Sequence, residues 1–418
     1  MTDTGGTSEH DEGLAATISP RAIDLSRPSR ELRLFIVAGE HSGDALGAKL
    51  MGAIRAAQGG RVRYLGVGGP LMEAQGLISQ FPLSDVAVMG PLAILKQLPR
   101  LMKRVYNTID AAVAAEPDAV VIIDAPEFTQ PIAKRIRRKR PALPIINYVS
   151  PSVWAWRSGR ARRMRAYIDH VMALLPFEPA SHQRLGGPPC TYVGHPLIER
   201  YDALREIDPL LLRSKLGIDT QTPVLAVLPG SRQSEVERLM DPFGEAIDRL
   251  LTLGRPFAVI IPVVDHLRGL IEEKSRNWLI TPHLVSGEVD KAATFRVAQA
   301  ALAASGTVTL ELALAGTPMV VAYKVDALAG KLGFLVKTPH FALANLVLGE
   351  RAFPELMQAN CTPEKLAAAL AELMHDTPAR RAQLAALARV PGLMRLPSGT
   401  PSQAAAAIVL AAARVRER

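Results

Sequence analysis

From Leu32 onward, apolar runs of strand length alternate with helical patterns, and this alternation constrains the fold more than any other feature of the chain. Candidate strands span 34–38, 63–67, 119–123, 145–148 and 171–174, each followed by Gly, Pro or Asp and then by helix-compatible sequence. Uninterrupted apolar strands of this kind belong to parallel sheets covered by helices on both faces. A second series follows at 224–228, 257–261, 283–285, 300–303 and 319–323. The pattern predicts an α/β protein of two Rossmann-like, doubly wound halves facing a cleft at their C-terminal strand ends, where ligands bind in such sheets.

The expected organisation follows from where the pattern stops. Residues 1–30 mix Gly, Thr, Ser, Asp and Pro without periodicity and read as a disordered N-terminal extension. The first domain spans 31–200. Residues 201–222 lack a buried-strand pattern and read as a linker, the second domain spans 223–395, and 396–418 is an Ala-rich helical segment packing across the junction. A length of 418 residues suits two or three domains.

The 49 Lys and Arg outnumber the 40 Asp and Glu by nine, which suits an anionic partner: nucleic acid, a phosphorylated substrate or a membrane surface. A generally basic surface that serves only solubility is the plainer account. Two cysteines, Cys190 and Cys361, are too few for a disulfide framework or a Cys-based zinc site and fit a reducing cytosol. The N-terminal residues Asp3, Glu9, Asp11 and Glu12 stand where an export signal would need basic ones, and no apolar run reaches the roughly 20 residues of a spanning helix.

Five segments could carry chemistry. In "LAVLPGSRQSEVERL" a strand ends before Gly230, and Ser231 or Ser234 could cap the next helix. Free N–H groups there, with the Arg232 guanidinium, suit a diphosphate; a strand–loop–helix corner with a solvated Arg is the structural account. In "ALAASGTVTLELALAG", Ser305, Gly306 and Thr307 open another helix with free donors, and Glu311 follows on an otherwise apolar helix. Its carboxylate needs a partner: vicinal ribose hydroxyls, or an Arg from elsewhere in the fold. Asp124, just after the strand of "VIIDAPEFTQPIAKRIRRKR", stands where a general base or a helix cap would stand. Six of the seven residues 134–140 are basic, as on a solvated helix face or one that meets anionic headgroups.

"YVSPSVWAWRSGRARRMRAY" places Ser150, Trp154 and Trp156 among five arginines, where the tryptophans could stack on bases or wall a cleft. No nucleic-acid-binding signature accompanies them. "VAVMGPLAILKQLPRLMKRVY" carries Met89, Leu92, Leu95 and Leu98 beside Lys96 and Arg100, as an interfacial helix would, though a core helix with solvated charges has the same composition. No P-loop motif occurs, and "GVGGPLM" lacks the third Gly of a dinucleotide fingerprint. No Asp-x-Asp is present to clamp a metal on a sugar-nucleotide diphosphate, so leaving-group stabilisation would fall to cations and helix dipoles.

Taken in order, "AGEHSGDALGA", "GVGGPLM", "AVMG", "DAPEFT", "YVSPSVWAWR", "LPFE", "VGHPL", "LPGSR", "ASGTVTLE", "PMVVAYK" and "NLVLG" closely resemble the lipid-A-disaccharide synthase family of GT-B glycosyltransferases, over nearly the whole chain after residue 32. The resemblance implies inverting transfer of 2,3-diacylglucosamine from UDP-2,3-diacylglucosamine to 2,3-diacylglucosamine 1-phosphate, giving a β-1,6-linked disaccharide 1-phosphate and UDP. It makes Asp124 the base. It assigns Arg232 with Gly230 and Ser231 to the diphosphate, Ser305–Thr307 and Glu311 to the nucleotide, and Asn345 to the donor. Glu40, Ser42, Gly43, Asp44, Ser150 and Trp154 fall on the acceptor side. His41 and Glu127 depart from residues common in the family, and His41 is a second acid–base candidate.

By the same resemblance the enzyme needs no metal or other cofactor and binds no nucleic acid. It works at the cytoplasmic face of the inner membrane as a peripheral protein, with Met89, Leu92, Leu95, Lys96, Leu98 and Arg100 facing lipid and a homodimer as one option. The rival readings are a GT-B enzyme acting on UDP-N-acetylglucosamine, such as a 2-epimerase or a peptidoglycan glycosyltransferase, and an RNA-binding protein using the Trp/Arg segment.

Overall fold

Seven parallel strands form the first sheet: β1 (Leu32–Ala38), β2 (Val62–Val67), β3 (Leu77–Ser79), β4 (Ala119–Ile123), β5 (Ile145–Tyr148), β6 (His170–Ala173) and β7 (Cys190–Tyr192). The second has six: β8 (Val224–Leu228), β9 (Ala258–Pro262), β10 (His283–Val285), β11 (Ala300–Ala304), β12 (Met319–Tyr323) and β13 (Glu355–Met357). Strands β4 (AVVII) and β8 (VLAVL) are buried along their whole length, as parallel strands covered on both faces must be. The computed structural model describes residues 31–86, 91–254, 256–325 and 338–414, and of 91–97 the backbone alone. The N-terminal extension expected over 1–30 and the candidate Met89 lie outside the described residues.

Crossover helices join the strands: α1 (His41–Ala57), α2 (Pro70–Ala74), α3 (Pro91–Ala114), α4 (Pro126–Lys139), α5 (Gly159–Met164) and α6 (Glu178–Arg184) in the first half. In the second half α10 (Gln233–Leu253), α11 (Arg268–Ser275), α12 (Glu288–Val297) and α13 (Val308–Ala315) do the same. Helix α10 shows why such segments fold as they do. Val236, Leu239, Met240, Phe243, Ala246, Ile247 and Leu250 recur at helical spacing, and all are buried against the second sheet.

The strand orders, β3-β2-β1-β4-β5-β6-β7 and β10-β9-β8-β11-β12-β13, reverse direction once each, between β1 and β4 and between β8 and β11. At such a reversal the connections leave to opposite sides and open a crevice beyond the C-terminal strand ends. The loop after β1 carries Glu40, the loop after β4 Asp124, that after β8 Gly230–Arg232, and that after β11 Ser305–Thr307. Four of the segments singled out by sequence therefore lie at the two switch points.

Residues 201–222 are not a bare tether. They form α8 (Tyr201–Glu206) and α9 (Pro209–Leu216), after the short α7 (Pro196–Glu199), and Leu212 and Ile218 bury against Val224, Ile260, Val285 and Ala293 of the second half. The chain later crosses back. Ala405, Ala406, Val409, Leu410 and Ala413 of the helix Pro401–Arg414 enter the core of the first sheet beside α1, whose small side chains allow close approach. Two ties fix the crossing. Tyr192 Oη donates to Met394 O at 2.7 Å, and Glu199 receives Lys49 Nζ at 2.6 Å and the Ser402 hydroxyl at 2.8 Å. The edge strands β3, β7 and β13, of three residues each, are absent from the expected series, whereas β10, an edge strand of the same length, is in it.

Candidate active site

The first switch point is acidic. Asp124 leaves β4 with φ of 51° and Ala125 follows at 42°, two successive non-glycine residues in the left-handed region. Such geometry costs of order 1–3 kcal/mol per residue and persists only when its surroundings hold it. Here Asp124 N donates to Tyr148 O at 3.0 Å, and the Thr129 hydroxyl donates to Asp124 O at 2.7 Å. Gly39 is required opposite: a Cβ there would sit 2.5 Å from that of Ala125. The result turns the Asp124 carboxylate toward α1, where the Ser42 hydroxyl lies 3.4 Å from Oδ2.

Glu40 completes this side. Burial raises its proton affinity above the ordinary carboxylate value and the charge of Asp124 adds to the rise, while Arg232 and His41 oppose it. Arg232 comes from the second half, so the two switch points lie near enough for its charge to bear on Glu40. His41 is exposed at the start of α1.

The second switch point is rich in donors, with Arg232 and Lys291 set among Glu235, Asp265, Glu288 and Glu311. A cleft of about 600 Å³ is lined by Gly230, Ser231, Arg232, Ser305–Thr307 and Glu311. The first backbone bonds of α13 begin at Thr309, so the N–H groups of Gly306, Thr307 and Val308 have no acceptor among the described residues. The cation beside Glu311 is Lys291 on α12, at 2.8 Å from Oε1, rather than an Arg. That pair separates the cleft from a smaller cavity of about 170 Å³ floored by Tyr201 and Phe295.

Several expectations need correction. The N–H groups of Ser231 and Arg232 are not free: both donate to Glu235 Oε2, at 3.1 and 3.3 Å. Neither serine caps α10. Glu235 at the third helical position holds the loop instead, and an N3 glutamate was the available signal for it. The Arg232 side chain is 63% exposed, with Nη1 3.3 Å from Glu235 Oε1, and its guanidinium remains the group that can meet a ligand.

Asp44 does not reach the cleft. It is buried and accepts the N–H groups of Gly69, Leu71 and Met72 at 2.8, 3.1 and 3.0 Å, capping α2. Gly43 is buried too, where a Cβ would press on Ala38 and Ile123. Asn345 is fully buried: its amide donates to Phe353 O and Glu355 Oε1 and accepts from Ala352 N. It therefore organises the 341–355 segment rather than touching a donor. Glu355 also accepts the N–H of Phe341, whose carbonyl receives the Ser305 hydroxyl at 3.0 Å.

On the acceptor side, Ser150 is buried, with its hydroxyl on Pro151 O at 3.0 Å and His182 Nε2 at 2.9 Å. Trp154 donates its indole N–H to Glu178 and packs edge-on to Phe177, both rings lying against the core of the second half. It belongs to the junction between the halves; the exposed Trp156 has the Arg157 guanidinium over its ring at 4.4 Å. Glu127 pairs with Arg157 and Arg160.

In α3 the side chains of Leu92, Leu95 and Lys96 lie outside the described residues. Leu98, Met102 and Tyr106 are exposed at four-residue intervals on one face, and Arg100 and Arg104 both bind the buried Asp85. In the basic run, Arg137, Lys139 and Arg140 pair with Asp169, Asp110 and Glu116, as on a solvated face.

Two facing Rossmann-like halves with a cleft between their switch points define the GT-B fold. UDP-GlcNAc 2-epimerase from Neisseria meningitidis bound to UDP-GlcNAc shares it, with a TM-score of 0.59 at 12% identity, over 93% of this chain and 100% of that one. A glycosyltransferase from Rickettsia africae has a TM-score of 0.57 at 10% identity, over 93% and 99%. At these identities the likeness speaks for the fold alone.

The sequence is more specific. Residues 34–408 match the lipid-A-disaccharide synthetase (LpxB) family. The lipid-A-disaccharide synthase of Nitrobacter hamburgensis is 50% identical over 379 residues, 90% of this chain and 95% of that protein. The corresponding synthase of Bradyrhizobium diazoefficiens is 48% identical over 387 residues, 92% and 98% of the two chains. The chain belongs to the lipid-A-disaccharide synthase family, glycosyltransferases of lipid A biosynthesis.

Proposed function

We propose that the chain transfers 2,3-diacylglucosamine from UDP-2,3-diacylglucosamine to the 6-hydroxyl of 2,3-diacylglucosamine 1-phosphate with inversion at the anomeric carbon. The observation that carries this reading is the opposition of the two switch points: Asp124 with Ser42 and Glu40 on one side, Arg232 and the α13 N-terminus on the other. Asp124 takes the proton of the acceptor hydroxyl as its oxygen bonds to the donor C1. The C1–oxygen bond to UDP breaks on the opposite face, through an oxocarbenium-like transition state, as in inverting glycosidases with the acceptor sugar in place of water.

Charge develops on the diphosphate as that bond breaks. Arg232 and the unaccepted N–H groups at α13 meet it there, which needs no metal ion, and Glu311 is set to receive ribose hydroxyls through the oxygen that Lys291 leaves free. The acceptor enters from the first half, past Glu40.

Both substrates carry acyl chains, so the cleft must work at a membrane surface. No helix among the described residues is long and apolar enough to cross a bilayer. The exposed Leu98–Met102–Tyr106 face of α3, with basic residues beside it, suits peripheral attachment to the cytoplasmic leaflet, where each cation near anionic lipid contributes on the order of 1 kcal/mol.

The test is an assay with UDP-2,3-diacylglucosamine, the 1-phosphate acceptor and EDTA. UDP release that depends on the acceptor and persists in EDTA is the expected result. Acceptor-independent UDP release, or interconversion of UDP-N-acetylglucosamine epimers, would remove the reading in favour of the epimerase.

A further inference from the structure

The "LPFE" glutamate, Glu178, has no place in the chemistry above, yet it is the most deeply embedded carboxylate near the junction of the halves. It is 3% exposed, and Leu174 N and Leu175 N donate to Oε2 at 3.1 and 3.0 Å. Trp154 Nε1 donates to Oε1 at 3.1 Å, and the Ser150 hydroxyl also favours the charged form. The groups facing it from neighbouring elements are neutral when the carboxylate ionises. Cys190 and Tyr192 on β7 are raised in proton affinity first by burial and then by the Glu178 charge, and burial holds His182 on α6 below its ordinary value.

What Glu178 holds is a strained corner. Val149 has φ of 73° and Arg157 of 50°, and a β-branched residue at positive φ persists only where its surroundings impose it. The corner touches both sides of the cleft. Tyr148, one residue before it, accepts the backbone N–H of Asp124 at 3.0 Å, while Trp154 and Phe177 pack on the core of the second half.

We propose that Glu178 is a positioning residue for the transfer: by anchoring Trp154 and the ends of Leu174 and Leu175 it holds the 149–157 corner so that Asp124 and Arg232 face each other across the cleft. This rests on the transferase reading for its kinetic consequence but not for its structural one. Burial without a counter-ion lifts the Glu178 carboxyl to about 7, against the hydrogen bonds that lower it. Its charge, and with it the pull on the Trp154 N–H, therefore changes near neutrality.

Two readouts separate the proposal from the reading beneath it. In Glu178→Gln, kcat should fall about tenfold or more, since an ångström-scale misplacement costs that much. UDP affinity should stay within about twofold, because the nucleotide side is built by other residues, and the limb of the kcat–pH profile centred near 7 should disappear. Trp154→Phe keeps the ring and loses the N–H, so it should reproduce part of the kcat loss.

Independently of any reaction, tryptophan emission of the wild type should titrate with a midpoint near 7, and that change should be absent from both variants. Activity with no such titration, or Glu178→Gln with the wild-type kcat and pH profile, overturns the proposal. Titration without transferase activity overturns the functional reading and leaves the positioning role standing. If Glu178→Gln does not fold, Trp154→Phe decides: a kcat and a titration both unchanged from wild type overturn the proposal.

Discussion

The β1/β4 and β8/β11 switch points share a topology and differ in the groups they offer. The first gathers Glu40 and Asp124 around Ser42, and the second gathers Arg232, Lys291 and unaccepted backbone N–H groups around Glu311. A reaction that removes a proton at one end and releases a diphosphate at the other needs that asymmetry. Each half also has a buried motif carboxylate that serves the backbone: Asp44 caps α2, and Glu235 holds the Pro-Gly-Ser-Arg loop. Acidic residues a few positions apart in one motif thus divide into those that hold the loop and those that face the cleft.

The largest effect should come from removing the acidic side. Asp124→Asn is expected to lower kcat by roughly 10²–10⁴-fold, with UDP affinity by calorimetry unchanged; near wild-type turnover would remove Asp124 as the base. On the donor side, Arg232→Ala should weaken UDP binding and lower kcat together, by on the order of 10²-fold. Arg232→Lys should recover only part of this, because a point charge lacks the guanidinium fork. A variant that bound UDP normally would break the assignment of the second half.

The backbone-serving carboxylates should behave differently. Asp44→Ala is expected to cost about 1–2 kcal/mol of stability in denaturant unfolding, with kcat of the folded protein nearly unchanged. Glu235→Ala should destabilise to a similar degree and also weaken UDP binding, since the same loop presents Arg232. Equal catalytic losses from Asp44→Ala and Asp124→Asn would erase the distinction drawn within the first half.

The smallest effect is a pH dependence. Because burial and Asp124 raise the proton affinity of Glu40, the folded state binds that proton more tightly than the unfolded chain. Its contribution favours the fold at low pH and is lost as pH rises from the ordinary carboxylate range through the raised folded value. Glu40→Gln should flatten that part of the stability–pH curve. Asp124→Asn should shrink it without abolishing it, burial being the larger cause.

Much of the fold was legible in the chain because its signals are local. The runs at 119–123, 145–148, 224–228 and 319–323 coincide with strands residue for residue, since a buried parallel strand is an apolar run bounded by turn residues, and 283–285 coincides too although it is an edge strand only partly buried. The loops carrying Asp124, Arg232 and Ser305–Thr307 were likewise found from their place after such runs. The family resemblance placed Asn345, Ser150, Asp44 and Gly43 in the cleft, and their neighbours in space put them inside. Glu355 and Lys291 gave no signal, and Glu178 only its place in the "LPFE" motif, because a lone charged residue in a helix or short strand reads the same whether solvated or buried.

By itself, then, the sequence determined two successive βα series, their apolar cores and the loops where chemistry could sit, all through residues only a few positions apart. Tertiary structure decided which carboxylates backbone donors would take and which would face the cleft. It also decided that residues 401–414 return to the first sheet. The physical reason is distance along the chain: Asp44 meets Gly69, Lys291 meets Glu311, and Asn345 meets Glu355 only after the sheets have formed. The energy of a buried charge is set by those partners rather than by its neighbours in sequence.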